Sequence, residues 1–380
     1  MKKILFLTST RADYGKMKSL MKIVEESENF ECHVFVTGMH TLSEFGNTGY
    51  ELVMNGFKNI HTYMNQIIEE PMDLVLANTI NGFGRYIREL KPDMIVIHGD
   101  RVEALACAIT GALNNVLVAH IEGGEVSGTI DESIRHAISK FAHIHFVSNE
   151  TAKKRVLQLG EDENRIFVIG SPDIDIMIQR PTKSIEEIKK HYEIEFDRYA
   201  VLIYHPVITE LNSLKYQVCQ LVDAVMESGD KYVVINPNND HGYNIIQNEY
   251  ERLSGSKNFR RFPTIRFEYY IELLRNSDYI IGNSSSGIYE STFVGVPSID
   301  IGTRQKKRFK YESIISCESD KRSILKAILK AKSMENMIHT THFGDGNSAE
   351  KFFDILCEDA IWKTVLQKDF SDFEVRWSSR

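Results

Sequence analysis

The side chains of this sequence best suited to moving protons fall in one stretch, His98 to His136. Asp100, Arg101 and Glu103 follow the apolar run DMIVIH (93–98), and Glu122, Glu125 and Asp131 follow the run VLVAHI (116–121). The segment ALACAITGAL between the runs is helix-like, so the stretch reads as strand, helix, strand. Open parallel sheets bind ligands outside the carboxyl ends of their strands, which is where these acids would be delivered. Carboxylates crowded into a cleft oppose one another's ionisation, so one can keep a proton while a neighbour acts as base. Asp100, Glu122 and Asp131 are therefore candidate catalytic acids. Metal ligation is the competing use of such a set, but no ExxH or DxD spacing supports it, and no metal is expected. A structural use also fits the residue types, with Asp131 and Glu132 as first-turn acids of the helix ESIRHAISKFAH and Asp100 as a helix cap.

Two further segments have the chemistry to hold a phosphate. TSTRADYGK (8–16) stands where a first strand hands over to a helix, and free N–H groups there attract anions, with Arg11 and Lys16 adding charge. The plain alternative is a polar loop. IIGNSSSGIYEST (280–292) makes the stronger case: Ser284, Ser285 and Ser286 precede Gly287, which opens a helix-like segment, and Glu290 lies one turn in, placed to accept hydrogen bonds from ribose hydroxyls. Ordinary serine capping is the competing reading. IGTRQKKR (301–308) brings Arg304 to the same rim, unless it is a solvated basic loop. His205 in YHPVITE and His40 in GMHTL each end a strand-like run, where an imidazole can donate to a phosphate or meet a leaving group's charge; singly, either is an ordinary polar loop residue.

These segments need strands to position them, and the pattern supplies two series. KILFLTS (3–9), ECHVFVT (31–37), DMIVIH, VLVAHI, HIHFVS (143–148) and the run 165–169 alternate with helix-period segments; YAVLIYH (199–205), KYVVINP (231–237), DYIIGN (278–283) and VPSIDIG (296–302) repeat the layout. That is an α/β protein of two Rossmann-like domains facing a cleft, with GSPDIDIMIQRP (170–181) as the linker. The expected division is 1–176, 177–360 and a terminal segment 361–380, with Asn347 or Ser348 capping a helix near residue 350. A length of 380 residues and 42% hydrophobic content suit two buried cores. The net charge of −8 argues against nucleic acid as a partner. The apolar start MKKILFL is cut by TSTRAD, so it reads as a strand and not a signal peptide, and no run approaches the ~18 residues of a membrane span. Five scattered cysteines without a CxxC pair suit a cytoplasmic protein.

The block H-I-E-G-G-E-V-S-G-T-I-D-E-S-I-R-H-A-I-S-K at 120–140 resembles the signature of the hydrolysing UDP-N-acetylglucosamine 2-epimerases of the sialic-acid-pathway type. S-T-R-A-D-Y-G at 9–15, H-G-D-R at 98–101, Y-H-P at 204–206, G-N-S-S-S-G-I-Y-E at 282–290, G-T-R-Q at 302–305 and F-G-D-G-N at 343–347 extend the resemblance along nearly the whole chain. The non-hydrolysing relatives carry Thr-Arg-Pro-Glu and His-Val-Glu-Ala-Gly where this chain has Thr10-Arg11-Ala12-Asp13 and His120-Ile121-Glu122-Gly123-Gly124. No sugar-kinase segment follows, so the stand-alone bacterial form is expected. The resemblance implies a GT-B fold whose last helix crosses back to the first domain, and a homodimer without cofactor. It implies catalytic roles for Asp100, Glu122, Asp131 and His205, nucleotide contacts from Arg11, Lys16, His205, Ser284, Ser285, Glu290 and Arg304, and places for His40 and Arg101 near the sugar. The implied reaction turns UDP-N-acetylglucosamine and water into N-acetylmannosamine and UDP. A relative acting on UDP-2,4-diacetamido-2,4,6-trideoxyglucose would share these motifs. Less of the pattern favours a non-hydrolysing epimerase, a GT-B glycosyltransferase or a non-catalytic nucleotide-sugar-binding protein.

Overall fold

The computed structural model describes residues 1–179, 183–334 and 339–371. Among the described residues, thirteen strands form two parallel sheets. The first contains β1 (Lys2–Thr8), β2 (Phe30–Val36), β3 (Asn59–Thr62), β4 (Met94–His98), β5 (Leu117–Ile121), β6 (Ile144–Val147) and β7 (Ile166–Val168), in the order β3-β2-β1-β4-β5-β6-β7. The second contains β8 (Ala200–Ile203), β9 (Tyr232–Ile235), β10 (Phe259–Phe262), β11 (Ile280–Gly282), β12 (Ser298–Ile301) and β13 (Ile314–Cys317), in the order β10-β9-β8-β11-β12-β13. Each sheet therefore reverses its winding beside its first strand, between β1 and β4 and again between β8 and β11. Crevices for ligands open at such switch points.

Burial on both faces explains the continuous apolar runs. In β1, Ile4 and Phe6 enter one core layer while Leu5 and Leu7 enter the layer on the other face; in the second sheet Val201 and Ile203 oppose Leu202 in the same way. Three strands, β3 (NIHT), β10 (FRRF) and β13 (IISC), escape the apolar signal. All three are edge strands with one pairing neighbour and partly exposed faces, so their sequences need no unbroken apolar run.

The crossings between the domains correct two sequence expectations. The stretch 170–181, expected as the linker, does run between the two sheets, but as the helix Pro172–Ile178, with proline in the first turn and Pro172 to Met177 buried and packed on the first helix, Arg11–Glu25. Residues 180–182, which include its second proline, lie outside the described residues. The chain also returns to the first domain well before residue 361. The helix Ser348–Cys357 places Phe352 in the core beside Phe6 and Phe146, at ring separations of 6.3 and 4.9 Å. Of the terminal segment 361–380, residues 372–380 lie outside the described residues.

Asn347 holds the cap position of that returning helix but makes no capping side-chain bond. The carboxylate of Asp175 does so instead, accepting the N–H groups of Ser348 at 3.0 Å and Ala349 at 2.8 Å. The outgoing helix thus caps the incoming one. Among the described residues no helix is long and apolar enough to cross a membrane, and no group of three or more metal-ligating side chains is assembled. Replacing Asp175 by Ala is expected to cost about 1.5–3 kcal/mol, the range for hydrogen bonds to a charged group. The shift of the urea midpoint measures it.

Candidate active site

The loops after β1, β8 and β11 meet where the two switch points face each other. A cleft of about 160 Å³, partly open to solvent, lies between them, and Arg11, Lys16, His205, Ser284, Ser285, Ser286 and Glu290 line it. Gly282 ends β11 at φ +140, and a Cβ there would meet the Ile203 carbonyl oxygen at 1.8 Å, so only glycine lets the two central strand ends approach this closely. Apolar walls come from Met39, Phe45, Ile265 and Phe267.

The first helix begins earlier than its sequence suggests, at Arg11. Thr10 caps it by accepting the Asp13 N–H at 3.1 Å, while Asp13 accepts the N–H groups of Thr10 at 3.0 Å and Ser9 at 2.9 Å. The turn expected to offer free N–H groups to phosphate has spent several on its own capping box. What it presents to the cleft is side-chain charge, from Arg11, paired with Glu51, and Lys16. Beyond β11, Ser284 caps the short turn Ser285–Gly287, Tyr270 hydrogen-bonds Ser286, and Glu290 begins the next helix instead of lying a turn inside it. Gly287 packs on the sheet, since a Cβ would stand 2.4 Å from Ser298 Oγ.

The acids at the mouths of β4 and β5 differ in their charge environment. Burial alone would raise Asp100, but Arg135, which hydrogen-bonds it, with Arg308 at 3.9 Å and Arg304, holds its carboxyl below the usual range. Asp131 goes the other way: burial and the neighbouring Asp100 charge push it up, against the pull of Arg304 at 3.4 Å. Burial also opposes the charge of Glu122, yet Lys16 at 3.8 Å, His98 at 3.0 Å and a hydrogen bond from Ser171 keep it well below the carboxylate range. Glu122 has a backbone φ of +61, a conformation that favours glycine and costs about 1 kcal/mol or more. Its N–H donates to Phe146 at 2.9 Å and its carbonyl accepts from Arg135 at 2.8 Å, which secures that turn. The site therefore holds two carboxylates drawn below the usual range beside one, Asp131, pushed above it.

His205 is not a cation. Burial, Arg304 and Arg101 depress it well below 6.5, and its Nδ1 accepts the Asn238 N–H at 3.1 Å. The proton is left on Nε2, so the neutral ring offers one N–H donor. Asn283 clamps its backbone from both sides, at 2.7 and 2.9 Å. Like Asp100, Arg101, Glu122, Asp131 and Arg304, His40 is not among the residues that line the cleft. It is buried, with both nitrogens engaged by Thr8 at 2.9 Å and Thr48 at 2.6 Å, and burial pushes it down to about 4. Arg101 spans the domains to Asp240 at 3.0 Å, and Arg304 donates to the Asn283 carbonyl at 3.3 Å as well as facing Asp131.

Several residues of the site escaped the sequence reading. Arg135 lies one helical turn after Asp131, a spacing that could have flagged it. His98 ends β4 immediately before the acidic loop. Asp173 sits inside the segment read as linker, and Arg308 ends a run of which only Arg304 was singled out; neither had a local signal.

His120, two residues before Glu122, donates from Nε2 to the Gly99 carbonyl at 2.8 Å and accepts from Ser139 at 3.0 Å, and burial pushes it to about 3. A depressed histidine stabilises the fold above its unfolded value of 6.5 and loses that contribution as pH falls toward 3. His120→Gln is expected to shrink the loss of unfolding free energy between pH 7 and pH 4 by on the order of 3 kcal/mol, read from urea denaturation at the two pH values.

Residues 22–357 match the family described as UDP-N-acetylglucosamine 2-epimerase. The chain is similar to the UDP-N-acetylglucosamine 2-epimerase of Neisseria meningitidis serogroup B, at 43% identity over 378 residues, 99% of this chain and 100% of the relative. It is similar to the hydrolysing UDP-N,N'-diacetylbacillosamine 2-epimerase of Legionella pneumophila, at 32% over 371 residues, covering 97% and 98% of the two chains. Its fold matches that of the Methanocaldococcus jannaschii UDP-GlcNAc 2-epimerase solved with UDP-GlcNAc and UDP, with a TM-score of 0.81 at 20% identity, over 94% of this chain and 99% of that one. With its paired parallel sheets in the GT-B arrangement and this match along most of its length, the chain belongs to the UDP-N-acetylglucosamine 2-epimerase family of enzymes.

Proposed function

We propose that this enzyme is a hydrolysing UDP-N-acetylglucosamine 2-epimerase, releasing N-acetylmannosamine and UDP. The observation that supports this reading most is the opposed charge environment of adjoining carboxylates: nearby cations hold Asp100 and Glu122 below the carboxylate range, while burial and the Asp100 charge raise Asp131. Inversion through an alkene needs one group to take the C2 proton and another to return a proton from the opposite face. In the first step a carboxylate takes that proton, its C–H electrons form the C1=C2 bond, and the C1–O bond breaks to expel UDP, leaving 2-acetamidoglucal. Water then adds its hydroxyl to C1 while a proton is delivered to C2.

A C2 hydrogen is barely acidic, so departure of the diphosphate must assist its loss. Arg11, Lys16 and the serine loop would hold that group, and neutral His205 would donate a hydrogen bond to it, so charge developing on the leaving oxygen meets donors already in place. The departures from the non-hydrolysing motifs, at Ala12-Asp13 and at Gly123-Gly124, and the hydrolysing activity in the name of the Legionella relative favour hydrolysis over return of the nucleotide. The same relative makes a diacetamido-trideoxy sugar the second candidate substrate.

Proton NMR of the protein with UDP-N-acetylglucosamine in D2O is expected to show UDP and free N-acetylmannosamine carrying deuterium at C2. Appearance of UDP-N-acetylmannosamine instead would overturn hydrolysis, and turnover confined to the diacetamido-trideoxy sugar would move the reading to that substrate. Asp100→Asn and Glu122→Gln are each expected to lower kcat by about 100-fold or more while UDP affinity stays within about threefold, as loss of a proton-transfer group does. Wild-type-like rates in either variant would remove that carboxylate from the mechanism.

A further inference from the structure

Asp173 is fully enclosed, at 0% exposure, and neither of its carboxylate oxygens has a hydrogen-bond partner among the described residues. Its counter-charge is the Lys16 ammonium at 3.3 Å. The same ammonium lies 3.8 Å from Glu122, 4.0 Å from Glu290 and 5.0 Å from the centre of the Tyr289 ring. Three carboxylates from three separate elements thus converge on one cation: Glu122 from the mouth of β5, Glu290 from the helix beyond the serine loop, and Asp173 from the helix connecting the domains. A buried carboxylate without hydrogen bonds is costly to keep. Asp173 has no part in capping the returning helix, because that cap comes from Asp175, two residues further on.

We propose that Asp173 is a positioning residue for the reaction: it anchors the Lys16 ammonium between Glu122 and Glu290, and so ties the placement of the proton-transfer carboxylate to the helix that joins the two domains. This rests on the reading of Glu122 as a proton-transfer group. Without Asp173, Lys16 would be free to swing toward the diphosphate or toward Glu290, leaving Glu122 without a fixed partner on that side. The groups that face Glu290 are Lys16, Asp173 and Glu122, with Tyr270 packed beside them. Burial raises the Glu290 carboxyl, Lys16 opposes that, and the Asp173 charge adds to the rise. Removing that charge therefore lowers the pH at which Glu290 titrates, both by ending the repulsion and by releasing Lys16 to it.

The test is a double-mutant cycle on the full chain with Asp173→Asn and Lys16→Met. Asp173→Asn is expected to lower kcat at least about tenfold, with KM for UDP-N-acetylglucosamine changed less than about threefold. Made in the Lys16→Met background, it is expected to cost less than about twofold, since its effect runs through Lys16. Equal costs in the two backgrounds, or none in either, would falsify the proposal. Asp175→Asn, on the same helix, is the control, expected to lower Tm while kcat stays within about threefold. Should Asp173→Asn fail to fold, Asp173→Ser takes its place in the cycle. Independently of turnover, the Glu290 carboxyl, followed by 13C NMR and assigned with Glu290→Gln, is expected to titrate at lower pH in the Asp173 variant; an unmoved titration overturns the proposal. Failure of the wild-type protein to form N-acetylmannosamine would instead sink the reaction reading, with the titration still deciding the role of Asp173.

Discussion

Arg304 of the second domain faces Asp131 of the first at 3.4 Å, Arg308 approaches Asp100 at 3.9 Å, and Arg101 returns the arrangement by reaching Asp240 at 3.0 Å. Charges withdrawn from water need partners, and in this protein the partners stand on opposite sides of the cleft. The rest of the site depends on that constraint. Tyr289 of the second domain hydrogen-bonds Glu125 of the first at 3.1 Å, and the Gly128 N–H donates to the Arg304 carbonyl at 2.9 Å, so the acidic loop is held in part by the opposite domain. A Cβ on Gly128 would stand 2.1 Å from the Thr303 carbonyl oxygen, which shows how closely the two backbones pass.

Pairing across a cleft differs energetically from pairing inside one core. Were the domains to part, each charge would regain water, and an ion pair exposed to solvent is worth little, so separation would forfeit less than breaking a pair inside one core. Charge pairing and substrate access are thus compatible in one architecture. The pairs within one domain do a different job. Arg135 holds both the Asp100 carboxylate and the Glu122 carbonyl, and so couples the loops after β4 and β5.

The connection between the domains carries a second constraint. The helix Pro172–Ile178 turns Asp175 toward the returning helix and Asp173 toward Lys16. Two carboxylates two residues apart thereby serve stability and site electrostatics separately. Local sequence cannot distinguish those duties, because Asp173 and Asp175 are the same residue type in the same short helix. What separates them is the neighbour each one meets, and both neighbours lie more than a hundred residues away along the chain.

The sequence by itself determined the two series of parallel strands, through apolar runs long enough to be buried on both faces, and it marked the loops after β1, β4, β8 and β11 by concentrating charge and hydroxyls there. It also carried the family, because the motifs keep their order over nearly the whole chain. It was silent on the edge strands β3, β10 and β13, whose partial exposure removes the apolar signal. Tertiary structure decided the rest. It made the linker a buried helix, enclosed His40 between Thr8 and Thr48, depressed His205, and shifted Asp131 in the opposite direction from Asp100 and Glu122. Each of these outcomes depends on desolvation and on charges brought within a few ångströms by distant elements, and neither quantity exists until the chain has folded.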